Sequence, residues 1–183
     1  MIEVLWHGRG GQGAFTAARL LGAAATSGDE GYALAFPSFG PERRGAPMRA
    51  FTKISDVPIG DRSAVAKASY VVYLDGTLFA PGWERELKPG GRVLVNSIRS
   101  TEELVGNADD RVIAIDADGM STAVLGRPIP NTVFLGALAA IGSFVSIDQV
   151  EQAIRDYMPQ KLHDKNIALV KQAAALFEEG SEA

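Results

Sequence analysis

The sequence predicts an α/β domain of three layers with a mostly parallel sheet in the middle. Three observations predict it. The runs "IEVLW" (2–6), "YVVYLD" (70–75), "RVLVNS" (92–97) and "RVIAID" (111–116) are almost continuously apolar, as strands buried on both faces are. Segments with helical spacing separate and follow them, so strand and helix alternate. The first strand also runs directly into "GRGGQG" (8–13), four glycines in six positions, ahead of a helical pattern. With 183 residues, the chain suffices for one well-buried domain, read here as spanning 1–183.

Taken in order, the strand at 2–6 is followed by a helix from Ala14 to Thr26, with Phe15, Ala18, Leu20 and Leu21 at helical spacing and "SGDEG" as its stop. "YALAF" (32–36) is a second strand, halted by Pro37. After the loop "PSFGPERRGAP" (37–47) comes "MRAFTKIS" (48–55), an extended segment that departs from the alternation and is a candidate antiparallel strand. The strand at 70–75 leads into a helical stretch ending at Leu87, then the turn "KPGG", then the strand at 92–97. The strand at 111–116 again ends in an acid, and the remainder is helical over 131–144, 147–158 and 164–179. Ser146 with Gln149 three residues on forms a capping box that fixes the start of the middle helix. The segment 132–145 is apolar nearly all round, so it is buried either in its own core or beneath another chain. Trp6 and Trp83 are read as core or interface anchors.

Composition excludes several function classes. The chain is 46% hydrophobic and 22% charged with a net charge of −4, whereas a nucleic-acid-binding domain is normally basic. It has no cysteine, which excludes disulfides and any thiolate-ligated zinc or iron–sulfur centre within it. His7 and His163 are the only imidazoles, so no metal site is expected. Met1 passes straight into "IEVLWH" without a basic region or an apolar leader, and 132–145 falls short of the roughly 20 residues that span a bilayer. A cytoplasmic protein without a membrane segment is the expectation.

Gly8, Gly10 and Gly13 satisfy G-x-G-x-x-G between a strand and a helix, the setting of a Rossmann-like phosphate turn. There a diphosphate approaches backbone N–H groups at a helix start, where the macrodipole favours negative charge. The dinucleotide fingerprint also requires an acid closing the second strand to hold a ribose. "AFPSF" stands there, and Asp29 and Glu30 precede the strand, so NAD and FAD lose their best support. A tight turn with no ligand stays open beside a phosphate-bearing one. In the second loop, three prolines and two glycines fix the backbone while Arg43 and Arg44 supply planar forks suited to phosphate or carboxylate. A solvated turn, or arginines paired to a partner's acids, stays open as well. Both loops leave carboxyl ends of strands, where α/β folds place ligands.

No residue is read as catalytic. Asp75 and Asp116 close strands without a partner base or nucleophile and are read as caps or ribose contacts. Asn96 and Ser97 are read as capping the next turn, and His7 as a hydrogen-bonded structural imidazole.

Four stretches together, "GRGGQGAFTAARLL", "PSFGPERRGAPMRAFTKISDVPI", "LKPGGRVLVNS" and "NTVFLGALA", resemble the gamma subunit of 2-oxoacid:ferredoxin (acceptor) oxidoreductases, from about Ile2 to Gly142. The spelling S-F-G-P-E-R-R-G-A-P is close to the pyruvate type; 2-oxoglutarate-type relatives carry Tyr for Phe39 and Ala for Arg43. The resemblance implies a multi-subunit enzyme that decarboxylates a 2-oxoacid on thiamine diphosphate with magnesium, sends electrons through 4Fe-4S clusters to ferredoxin or another acceptor, and passes the acyl group to coenzyme A. It places thiamine, metal and clusters in alpha, beta and ferredoxin-like delta subunits, in keeping with the absence of cysteine here. For this chain it implies a share in a coenzyme A site and in assembly. The positions carried over are Gly8, Arg9, Gly10, Gly11, Gln12 and Gly13 in the glycine loop, and Phe39, Gly40, Arg43, Arg44 and Gly45 in the basic turn. The family often has Arg where Lys53 stands, so no bidentate role is carried there. The second reading is a free-standing NAD- or nucleotide-binding enzyme; a third is a pure assembly subunit with an empty loop. Phenylglyoxylate- and branched-chain-type enzymes remain open beside the pyruvate type.

Overall fold

A computed structural model describes residues 1–28, 31–38 and 44–178. Its six strands, β1 (Ile2–Arg9), β2 (Tyr32–Pro37), β3 (Pro47–Ser55), β4 (Ala68–Tyr73), β5 (Leu87–Asn96) and β6 (Val112–Ile115), form one sheet in the order β2-β3-β1-β4-β5-β6. β1, β4, β5 and β6 pair in parallel, and β3 alone runs against its neighbours β1 and β2. The predicted α/β class with a mostly parallel sheet is therefore present, and "MRAFTKIS" is the antiparallel strand. Its insertion has a consequence for function. β2 stands two strands from β1, about 10 Å away at normal strand spacing, so the end of β2 is not beside the glycine loop as in a dinucleotide fold.

Alternation along each strand divides the core. Val4, Trp6, Val72, Leu74 and Leu94 face a layer of helices: α1 (Ala14–Ala25), α3 (Ala117–Leu125), α4 (Asn131–Ile141), α5 (Ile147–Tyr157) and α6 (His163–Ala175). Leu5, Val71, Tyr73, Val93 and Val95 face the other side, closed by Val65, Trp83 and the short helix α2 (Thr101–Val105). That second side also buries Lys53, 1% exposed, whose ammonium lies 2.6 Å from Asp61 and 3.7 Å from Glu3. Trp6 is a core residue whose indole N–H donates to Thr52 Oγ1.

Two helix starts carry capping boxes. Ser146 and Gln149 form the expected box at α5, and an unforeseen Ser100–Glu103 box starts α2. The helix expected up to Leu87 is instead two 3-10 turns, Gly76–Leu78 and Trp83–Glu86. Pro81 cannot donate to a helix, and Gly82 at φ 95° turns Trp83 into the second core. "KPGG" does not precede the strand but lies within β5: Ala68 pairs Leu87, and Tyr70 already pairs Arg92, so 88–91 bulge out. The first half of the apolar segment at 132–145 packs in the chain's own core, with Val133, Phe134, Leu135, Ala137 and Leu138 fully buried, while Ala140 and Ser143 are exposed. Among the described residues no helix is long and apolar enough to cross a membrane.

Candidate functional site

The site lies at the carboxyl ends of β1 and β4, where the chain passes from β1 through "RGGQG" into α1. Gly13 adopts the left-handed conformation (φ 82°) and starts α1 with no side-chain cap, leaving the first-turn N–H groups to other partners. A Cβ at Gly13 would lie 2.6 Å from Asn131 Nδ2, because the start of α4 abuts this turn; a Cβ at Gly8 would lie 3.3 Å from Ala14 Cβ. Gly11 (φ 99°) has open space around it. Gly13 and Gly8 thus serve close packing, while the exposed Gly11 does not.

The two loops read from the sequence meet. Gly10 N donates to Ala46 O at 3.0 Å, and Gly45 N donates back to Gly10 O at 3.0 Å, an isolated bridge pairing Gly10 with Arg44. The Arg44 side chain is exposed beside it. Of the expected site residues, Arg9 to Gly13, Arg44 and Gly45 therefore share one surface, with Gly8 buried beneath it; Phe39, Gly40 and Arg43 lie outside the described residues.

Arg9 and Gln12 are engaged with groups far away in the chain. Arg9 Nε donates to Asp75 Oδ2 (2.9 Å), Nη2 to Thr77 Oγ1 (3.0 Å) and Nη1 to Gly45 O (3.2 Å). Gln12 donates to Asp75 (3.2 Å) and accepts from Arg9 N (2.7 Å). Burial alone would raise the Asp75 carboxyl, but bonds from the Thr77 hydroxyl and amide, the Gln12 amide and the Arg9 charge outweigh it and hold the group below its ordinary range. Asp75 also caps the following 3-10 turn through Thr77 N, as its strand-end position suggested. On the β4 side Asp75 and Arg9 offset each other's charge, and the other side presents the exposed Arg44.

Beyond Asp75 a cleft of about 450 Å³ opens at the ends of β4, β5 and β6. Asp116 and Asn96 on its wall are caps: Asp116 accepts from Gly119 N, and Asn96 Oδ1 from Ala117 N and Asp118 N, both at the start of α3. Ser97 Oγ accepts from Arg99 N within its turn. Behind the loop, His7 stacks on Tyr73 at 4.5 Å, and His7 Nε2 and Tyr73 OH both meet Glu86 Oε2, at 2.8 and 2.9 Å. Tyr73 is pushed up by burial, then by the Glu86 charge, so the hydroxyl stays protonated. The imidazole is thereby held between a carboxylate and an aromatic ring.

At the end of β2, where a dinucleotide fold needs an acid, stand Phe36 and Pro37, and β3 separates them from the loop. The geometry therefore offers an anion-compatible turn without the ribose partner of NAD.

A family model described as pyruvate ferredoxin/flavodoxin oxidoreductase matches residues 3–177. A pyruvate synthase subunit PorC of Methanothermobacter marburgensis is 47% identical over 167 residues, covering 91% of this chain and 92% of that protein. The pyruvate/ketoisovalerate oxidoreductases common subunit gamma of Thermococcus kodakarensis is 41% identical over 177 residues, covering 94% and 95%. Among solved structures, the pyruvate oxidoreductase subunit PORC of Thermotoga maritima superimposes with a TM-score of 0.82 at 34% identity, covering 95% of each chain. The match spans both loops and all six strands: the chain belongs to the pyruvate ferredoxin/flavodoxin oxidoreductase family.

Proposed function

We propose that this gamma-type subunit of a 2-oxoacid:ferredoxin oxidoreductase holds coenzyme A for the acyl transfer and helps to assemble the complex, while the redox chemistry belongs to its partners. The observation that carries the reading is the Gly10–Gly45 and Gly10–Ala46 bonding, which joins the glycine loop and the basic turn into one surface. Coenzyme A is a polyanionic substrate. Its phosphates would meet the backbone N–H groups at the start of α1 and the guanidinium groups of Arg44 and Arg43, and would approach from the side away from Asp75. The thiol of coenzyme A would supply the acyl acceptor; this chain orients it.

Thiamine diphosphate with magnesium and the 4Fe-4S clusters are assigned to alpha, beta and ferredoxin-like delta partners, and electrons to ferredoxin or another acceptor. A chain with no cysteine cannot ligate such clusters through thiolates. The relative named as a subunit common to pyruvate and ketoisovalerate oxidoreductases supports placing oxoacid selection outside the gamma chain. The compartment assigned is the cytoplasm.

The test is the KM for coenzyme A in the reconstituted complex with Arg44→Ala and Arg43→Ala, beside single-turnover decarboxylation without coenzyme A. A charged hydrogen bond contributes about 1.5–3 kcal/mol, so each substitution should raise KM roughly 10- to 100-fold. Decarboxylation, which precedes coenzyme A, should keep its rate. An unchanged KM in both variants, or dissociation of the complex, would assign the arginines to an interface instead.

A further inference from the structure

We propose that Asp75 is a positioning residue for this surface: through Arg9 it fixes the basic turn against the glycine loop. Arg9 closes β1 and spans three elements with one guanidinium, reaching Asp75, Thr77 and the Gly45 carbonyl at 2.9, 3.0 and 3.2 Å. Asp75 comes from the end of β4 and accepts four hydrogen bonds, from Arg9 Nε, Gln12 Nε2, Thr77 N and Thr77 Oγ1. Its carboxylate therefore grips the glycine loop at two points, through residues 9 and 12. Arg9 carries that grip onward to Gly45, beside the Gly10–Gly45 bond that unites the two loops.

The arrangement distinguishes two roles that a sequence motif cannot. An arginine in a glycine loop suggests a direct phosphate ligand. Here three of its five N–H groups, one on each nitrogen, already have an acceptor within the chain. The side chain is only partly exposed, and its charge is matched by a carboxylate that is itself 14% exposed. Ionised Asp75 next to an anion would be a liability unless its task is to organise the loop. Fixing a loop in its binding conformation raises affinity by reducing the ordering cost of binding.

The two roles predict opposite signs for one substitution. Asp75→Asn keeps the volume but puts an amide N–H where donors converge. If Arg9 were a phosphate ligand, this change would release it and remove a negative charge, so KM for coenzyme A would fall. If Asp75 positions the loops, KM rises about 10-fold, Arg9→Gln does the same, and the double variant is no worse than either single by more than about 2-fold.

The kinetic arm rests on the coenzyme A reading; a second arm does not. Hydrogen exchange at the Gly10 and Gly45 amides, which donate the two joining bonds, should accelerate about 10-fold in Asp75→Asn in the full chain. If Asp75→Asn fails to fold, Thr77→Val, which removes the acceptor of Arg9 Nη2 and a donor to Asp75, should move both readouts in the same direction. Accelerated exchange with unchanged KM would uphold the positioning role and overturn the coenzyme A reading. Unchanged exchange, or a KM that falls in Asp75→Asn while rising in Arg9→Gln, would overturn the positioning role.

Discussion

Replacing Gly13 by alanine tests why the glycine loop has its spacing. Two costs can be read from the structure. Gly13 has φ 82°, and an L-residue held in that region costs about 1–2 kcal/mol. The added Cβ would also lie 2.6 Å from Asn131 Nδ2, a contact that real Cβ atoms do not make. Asn131 cannot swing away freely: it is 4% exposed, and its Oδ1 accepts from Thr132 N at 2.9 Å in the first turn of α4. Overpacking of this kind costs about 1–3 kcal/mol, so Gly13→Ala should lose roughly 2–5 kcal/mol in all. Gly11 is the internal control, with the same φ class (99°) and nothing within 4 Å of its added Cβ. Gly11→Ala should therefore cost only the backbone share, about 1–2 kcal/mol. The assay is urea unfolding of the purified chain, with thermal scans beside it; at about 2–4 °C per kcal/mol the two variants should separate by several degrees. Adding Asn131→Ala to Gly13→Ala should recover part of the excess. Equal losses at positions 11 and 13, or no recovery in the double variant, would refute the claim that α4 packing dictates the third glycine.

Two further outcomes follow from contacts elsewhere. A Cβ on Gly136 would stand 2.2 Å from the Val170 carbonyl oxygen, so α4 and α6 touch through backbone; Gly136→Ala should cost about 3 kcal/mol or more by denaturant unfolding, and a loss below about 1 kcal/mol would contradict that packing. Burial tends to raise the Glu86 carboxyl, but the His7 bond and charge, the Tyr73 hydroxyl and Arg49 outweigh it, so its folded pKa lies below the ordinary value. A depressed carboxyl contributes stability that is present above its unfolded pKa of about 4.3 and lost as pH falls through the folded value. The urea midpoint of Glu86→Gln should therefore lie below wild type at pH 7 and approach it near pH 3; a gap independent of pH would contradict the linkage.

How much of this was legible in the sequence depended on the range of the interaction. The buried parallel strands announce themselves because Val, Ile and Leu run almost without polar interruption, and Ser146 with Gln149 marks α5 because a capping box is local. The antiparallel β3 was visible as a break in rhythm, but its place between β1 and β2 was not, since strand order depends on pairings across the chain. Local propensity misled over 76–87, where Pro81 and Gly82 let Trp83 seek the second core. It misled again at "KPGG", where a turn signal marks a bulge inside β5. Hydrophobicity on every face of 132–145 showed burial without showing that this chain itself provides the cover. That the glycine loop and the basic turn lie on one sheet edge was anticipated from their strand ends; that Gly10 bonds to Gly45 and Ala46 was not. The partnerships of Arg9 with Asp75 and of His7 with Glu86 join residues 66 and 79 apart, and nothing in either segment names the other.

The central claim, that the joined loops form the coenzyme A surface, is tested most directly by hydrogen exchange on the assembled complex with and without saturating coenzyme A. Amides over 10–16 and 44–46 should exchange several-fold more slowly when it is bound, because the phosphates would accept from the first-turn N–H groups of α1 and order the basic turn. Protection confined to the partner subunits, with residues 10–16 and 44–46 unchanged, would contradict the account.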